Sequence, residues 1–263
     1  MLLQDKVAVV YGGAGSIGSA LARAFAAEGA TVHVTGRDKA AVDVVTDKIV
    51  AEGFTAEAAQ VDALDERAVD EHLRHVVDTS GRVDISVNAI GIPDGDILGL
   101  PLVELDAAQF ALPLATYTTS YFLTARLAAR RMIPAGSGVI MTVTALHSRT
   151  GLPLVGGYGP AQAAKEALTR DLSAELAPHG IRVVGLRPQA MPDTRTIRRA
   201  YEPRAAASGL TWEQWQEMLA ARTHPRRLMR LEEMTDAAVF LASDRASGMT
   251  GTTLNLTLGS LDD

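Results

Sequence analysis

The chain has 263 residues, no cysteine, 47% apolar and 21% charged residues, which fits one large globular domain and excludes a disordered chain or a disulfide scaffold. Twenty-five basic residues against 31 acidic ones leave a net charge of -6, which argues against a general nucleic-acid binder, since phosphate contacts need a basic face. The opening MLLQDKVAVVYGG has no apolar stretch of signal-peptide length and no run approaches the ~18 apolar residues of a membrane span, so a soluble cytoplasmic protein with no membrane partner is expected.

Short β-branched runs alternate with longer helical patterns along the chain. Val7–Val10 precedes a helix over Ile17–Glu28, and Val32–Thr35 precedes Lys39–Glu52. A third strand ends before Asp62; Val83–Asn88 then precedes Leu105–Met132, and Val139–Thr144 precedes Ala161–Ala177. Ile181–Leu186, a helix over Leu231–Ala242 and a last strand near Thr252–Thr257 complete the pattern. Such alternation describes an α/β fold with a doubly wound parallel sheet of about seven strands, covered on both faces, as a single domain over residues 1–263. The one compositional shift is Asp193–Arg230, with eight arginines, no lysine and four acidic residues, read as short helices inserted before the last helix.

After the first strand, Gly13-x-Gly15-x-x-Gly18 lies in the strand-turn-helix setting that gives a dinucleotide fingerprint its meaning, with Gly29 closing the helix. Glycines at these positions let backbone amides approach a pyrophosphate, and the helix N-terminus favours its charge. The second strand ends in Thr35-Gly-Arg-Asp38, with Arg37 beside the position that reads the adenosine ribose. An arginine there pairs a 2′-phosphate, so NADP(H) is favoured, while Asp38 keeps NAD(H) open; the bland alternative is a pair of solvated helix-entry charges.

These residues resemble the short-chain dehydrogenase/reductase family over essentially the whole chain. The marks are Gly12 to Gly18, Asp62 after the third strand, Asn88-Ala89-Ile-Gly91 after the fourth, and Leu241-Ala-Ser-Asp with Thr250-Gly251 in the tail, while the family's Pro-Gly after the sixth strand is Pro188-Gln189 here. The resemblance implies a Rossmann-fold subunit of a homodimer or homotetramer that binds a nicotinamide cofactor through Gly12, Gly13, Gly15, Ser16, Ile17, Gly18, Arg37, Asp62, Ala63, Asn88, Ala89, Gly91, Pro188 and Thr194. It implies no metal. It also makes the segment from about 193 to 230 the lid over the substrate, where Trp212, Trp215, Met218 and Leu219 have helical spacing and either line an apolar pocket or anchor the lid.

The family's proton chemistry uses a tyrosine, a lysine four residues on, a serine thirteen residues before and an asparagine on the fourth helix. Tyr158 stands in place, but the matching positions hold Gln162, Ala145 and Tyr117. A phenol with an ordinary pKa of ~10 needs a nearby cation to work near neutral pH. Gln162 and Tyr117 are candidate supports for Tyr158, and His147 is a candidate acid or base on the loop beside the substrate; packing for Tyr117 and solvation for His147 are the plainer readings. Lys165 can reach only part of the way back along the helix, and a solvated lysine paired with Glu166 or Asp171 is the alternative. The leading expectation is an NADP(H)-dependent oxidoreductase acting on a carbonyl, alcohol or enone. The alternatives are a nucleotide-binding protein without redox turnover, such as a non-redox cyclase or isomerase, or a scaffold subunit.

Overall fold

The computed structural model describes residues 1–92, 98–194, 197–198, 201–202, 205–206 and 208–262. Seven strands form one sheet, β1 (Val7–Tyr11), β2 (Thr31–Gly36), β3 (Ala56–Gln60), β4 (Ile85–Asn88), β5 (Gly138–Val143), β6 (Ile181–Pro188) and β7 (Thr252–Leu256). Their order is β3-β2-β1-β4-β5-β6-β7 and every pairing is parallel. The chain therefore leaves β1 toward one edge and returns at β4 to build toward the other. A crevice opens at the carboxyl ends of β1 and β4, where the direction reverses.

Both faces of the sheet are apolar because successive strand residues point to opposite sides. Ala8, Val10, Val139, Met141, Val184 and Leu186 join Leu21 and Phe25 of helix α1 (Ser16–Ala27), Ile49 of α2 (Lys39–Ala51) and Met234 of the last helix, Leu231–Ala242, on one side. Val9, Tyr11, Ile140 and Val183 pack on the other side against α3 (Glu66–Ser80), α5 (Thr119–Met132) and α6 (Tyr158–Leu176), through residues such as Leu73, Tyr121 and Leu172. Among the described residues no helix is long and apolar enough to cross a membrane.

The expected single helix over Leu105–Met132 is broken into α4 (Ala107–Pro113), a π-helical turn at Leu114–Thr118, and α5. Pro113 brings no N–H to the ladder and crowds the preceding turn, and the wide turn that follows accommodates the mismatch. The helix expected from Ala161 instead begins at Tyr158. Within 193–230 the structure shows α7 (Trp212–Ala220), opened by a Thr211 and Gln214 capping box and followed by the last helix, α8 (Leu231–Ala242). Arg195, Arg199 and Arg204 of the arginine cluster lie outside the described residues.

Between the outer strands and α3 lies a histidine group that the sequence pattern did not single out. His33 on β2 and His72 on α3 are 1% and 7% exposed, their rings 6.0 Å apart edge to face, and neither ring nitrogen of His72 has a hydrogen-bond partner. Burial, aided by the charges of His33 and His75, lowers the His72 pKa to about 4 against the pull of Glu57. The unfolded chain accepts a proton near 6.5 that the folded chain refuses until about 4, so stability falls as pH drops through that window. The loss amounts to about 1.4 kcal/mol per pH unit for this group. His72→Phe should flatten the fall of the melting temperature between neutral pH and pH ~4.5; parallel loss in variant and wild type would reject the assignment.

Candidate functional site

The glycine turn packs by contacts that no larger residue permits. Gly12 has φ +78°, and a Cβ there would meet the Ala89 carbonyl oxygen at 2.7 Å, which locks the turn after β1 to the segment after β4 across the crevice. A Cβ on Gly18 would meet the Gly12 oxygen at 2.2 Å, so α1 can start close under the turn only with glycine there. Gly13 donates to the Thr35 carbonyl at 2.8 Å and Gly15 to that of Gly12 at 3.0 Å. Gly15 is the N-cap of α1 and brings no capping side chain, with Ser16, Ile17 and Gly18 forming the first turn. By contrast α2, α3, α4 and α7 are capped by Asp38, Asp65, Asp106 and Thr211. The first helix thus offers its amides to an anion from outside the chain.

Around this turn, Arg37 is exposed and its carbonyl accepts from Gln60 Nε2 at 2.9 Å. Asp38 is committed to capping α2 through Ala41 N at 3.2 Å. Asp62 is exposed and accepts from Leu64 N at 3.0 Å, beside buried Ala63. Asn88, buried at the end of β4, donates from Nδ2 to Thr124 Oγ1 at 3.2 Å while its Oδ1 has no partner. Ala89 N donates to the Tyr11 carbonyl, and Gly91 lies exposed beyond it. Pro188 ends β6, and Thr194 is buried with its hydroxyl donating to the Met191 carbonyl at 2.8 Å. These groups fit a dinucleotide: uncapped amides for the pyrophosphate, an exposed guanidinium near the adenosine end, and unpaired buried oxygens on Asn88 and Gln162 further along the crevice.

Tyr158 is the first residue of α6, at the carboxyl edge of the sheet and half-buried. Its ring lies edge to face with two others, His147 at 5.3 Å and Tyr117 at 5.7 Å. The three expected aromatic groups therefore come together from α6, the turn Leu146–Ser148 and the π-helical turn. Their closeness rests on Gly157 and Gly159, where a Cβ would meet the carbonyl oxygens of Phe110 at 2.1 Å and His147 at 3.2 Å. Tyr117 is buried, and its hydroxyl accepts from Ile92 N at 3.4 Å. Gln162 is 2% exposed, one helical turn inside Tyr158. An apolar recess of about 300 Å³ is formed in part by the loop that precedes α6, lined by Pro101, Leu102, Leu152, Leu154 and Val155.

Sequence reasoning missed what anchors this half of the site. Glu166 and Arg187 form a buried ion pair, each side chain 4% exposed, with Arg187 Nε and Nη2 donating to the two carboxylate oxygens at 2.9 Å. Thr144 and Ser148 also donate to Glu166 Oε1, at 3.0 and 2.5 Å. Thr144 thus points toward α6 and is held there. Burial pushes the Glu166 carboxyl up, but the donors and the Arg187 charge outweigh it and hold the group below the usual carboxylate range. The available signal was a lone charge at each of two inward positions, Arg187 continuing the alternation of Val183 and Gly185, and Glu166 four residues after Gln162. Lys165 is likewise neither solvated nor paired as a surface lysine. It is 0% exposed and donates to the Val143 carbonyl at 2.6 Å.

Comparison with known proteins settles the family. The family description "Enoyl-(Acyl carrier protein) reductase" matches residues 12–260. A short-chain dehydrogenase of Aspergillus ruber, fogB, is 34% identical over 261 residues, covering 93% of this chain and 92% of the relative. The chain belongs to the short-chain dehydrogenase/reductase family. Cis-4-hydroxycyclohexanecarboxylate dehydrogenase of Sinomonas cyclohexanicum is 32% identical over 250 residues, covering 95% of this chain and 94% of that one. The crystal structure of sorbitol-6-phosphate 2-dehydrogenase from Erwinia amylovora superposes with a TM-score of 0.90 at 26% identity, covering 97% of this chain and all of the other. The fold accordingly carries the nucleotide-binding site typical of short-chain oxidoreductases, and the geometry of the glycine turn fits that role.

Removing one member of the Glu166–Arg187 pair strands the other charge in a buried site. Arg187→Met should cost about 3–5 kcal/mol in urea unfolding, with Glu166→Met/Arg187→Met recovering most of it; a loss below about 1 kcal/mol for the single variant would show that the pair is not buried as described.

Proposed function

We propose that this protein is an NADP(H)-dependent oxidoreductase that interconverts a carbonyl, or an enone, with its reduced form, using Tyr158 as the proton carrier. The observation that carries the reading is the convergence of Tyr158, Tyr117 and His147 at the carboxyl edge of a sheet whose crevice holds the nucleotide turn. A bound nicotinamide supplies the hydride in reduction and accepts it in oxidation. Tyr158 gives its hydroxyl proton to the substrate oxygen in reduction and takes it back in oxidation. His147 and Tyr117 hold its ring from two sides, which limits the positions the hydroxyl can take.

Where the family places serine, lysine and asparagine, this chain has Ala145, Gln162 and Tyr117. The proton relay is therefore its own. Gln162 Oε1, buried and without a partner, is suited to accept from a ribose hydroxyl, and its neutral amide leaves the phenol's acidity to other groups. The preference for NADP(H) rests on exposed Arg37 with Asp38 turned to its helix. The apolar recess at the loop that precedes α6 favours a substrate with an apolar body, as does the half-buried face of Trp212, Trp215, Met218 and Leu219 on α7. Assembly as a homodimer or homotetramer and a cytoplasmic location belong to the same reading.

Two measurements test it. Tyr158→Phe should lower NADPH-dependent reduction of a panel of ketones and enones by about 100-fold or more, and unchanged turnover would reject Tyr158 as the donor. Conversion of a substrate with no change in nicotinamide absorbance would instead identify a non-redox isomerase or cyclase. Arg37→Ala should weaken NADPH binding about tenfold and leave NADH binding nearly unchanged, with equal losses for both nucleotides contradicting the 2′-phosphate contact.

A further inference from the structure

Lys165 is the only lysine beyond residue 48, and it is one of the largest fully buried side chains of the protein. An ammonium carries three donors. Here Nζ faces the Val143 carbonyl at 2.6 Å and, 5.5 Å from its centroid, the face of the Tyr117 ring. Glu166, next along the helix, accepts from Arg187, Thr144 and Ser148, while Lys165 Nζ donates to the Val143 carbonyl instead. A methionine would fill such a place without stranding donors, so the amine is costly to keep there and its one aromatic contact leads to the site.

We propose that Lys165 is a positioning residue: its protonated amine holds the Tyr117 ring against Tyr158, and the site slackens when that proton is lost. The argument rests on the reading of Tyr158 as the proton carrier. A cation over a desolvated ring is attracted by its face, whereas a neutral amine is held far less. Tyr117 needs such a hold because it sits on a π-helical turn, where the backbone leaves the regular helical ladder. The neighbouring titratable groups are Tyr158 and Glu166 on α6, Arg187 on β6, His147 on the adjoining turn, Tyr117 itself, and Tyr121 on α5, whose hydroxyl is bonded to Thr169 Oγ1 at 3.0 Å. Burial lowers the Lys165 pKa to about 7, with the Glu166 charge pulling the other way. The ring is thus gripped below neutral pH and released above it.

The chain has only four lysines, so the 13C signals of their ε-carbons can be resolved in the cofactor-free protein. One should titrate near pH ~7 and vanish in Lys165→Met. Absence of any midpoint near neutral pH would overturn the proposal. The near-ultraviolet tyrosine signal should change over the same range, below phenol ionisation, and become flat in Lys165→Met and in Lys165→Gln, which retains a donor for Val143. Persistence of that change in either folded variant would also overturn it, as would its loss in His147→Gln with Lys165 intact. In turnover, Lys165→Gln should remove the fall of reductase kcat across pH ~7, and Tyr117→Leu should make that substitution silent. The NMR and near-ultraviolet readings need no substrate, so a failure of Tyr158→Phe to reduce turnover rejects Tyr158 as the proton carrier separately.

Discussion

Helix α6 is held to the sheet by a buried charge pair, and the half of the protein that carries Tyr158 hangs from that contact. Glu166 receives Arg187 from the end of β6, Thr144 from the end of β5 and Ser148 from the turn beside Tyr158. Three chain segments thus converge on one carboxylate of α6. Such a pair is not a cheap source of stability, since both ions are desolvated, but breaking it is expensive and its geometry is demanding. Its effect is to fix where α6 begins relative to the sheet edge, and therefore where the Tyr158 hydroxyl can be.

The nucleotide half is organised by a different constraint. There the backbone itself approaches, Gly12 against Ala89 and Gly18 against Gly12, and side chains matter mainly by being absent. Absence of a Cβ at fixed spacing is visible in a linear sequence, because the strand, turn and helix that use it are contiguous. The two halves meet at the reversal between β1 and β4, where Asn88 closes the sheet and the chain continues toward Tyr117. The glycine turn is consequently built from local geometry, while the aromatic cluster at Tyr158 is built from side chains brought together over long distances.

The strand alternation, the parallel order and the last helix over Leu231–Ala242 were legible because each depends on periodicity within a short window. The break at Pro113 was legible in principle, since proline lacks the donor a continuous helix needs, but the strong apolar pattern on either side of it masked the interruption. His33 and His72 escaped notice because they lie on separate elements, and only packing makes them neighbours.

From sequence alone, the fold class and the glycine turn follow from local pattern, whereas Tyr158, Gln162, Tyr117 and His147 stood out only through the resemblance to the short-chain dehydrogenase/reductase family. Tertiary structure decided that Lys165 faces an aromatic ring instead of water, that Thr144 and Arg187 turn toward Glu166, and that Tyr117 and His147 flank Tyr158. The reason is physical: whether a charge is solvated or buried depends on what every other element places around it, and a chain read in order carries no measure of that enclosure.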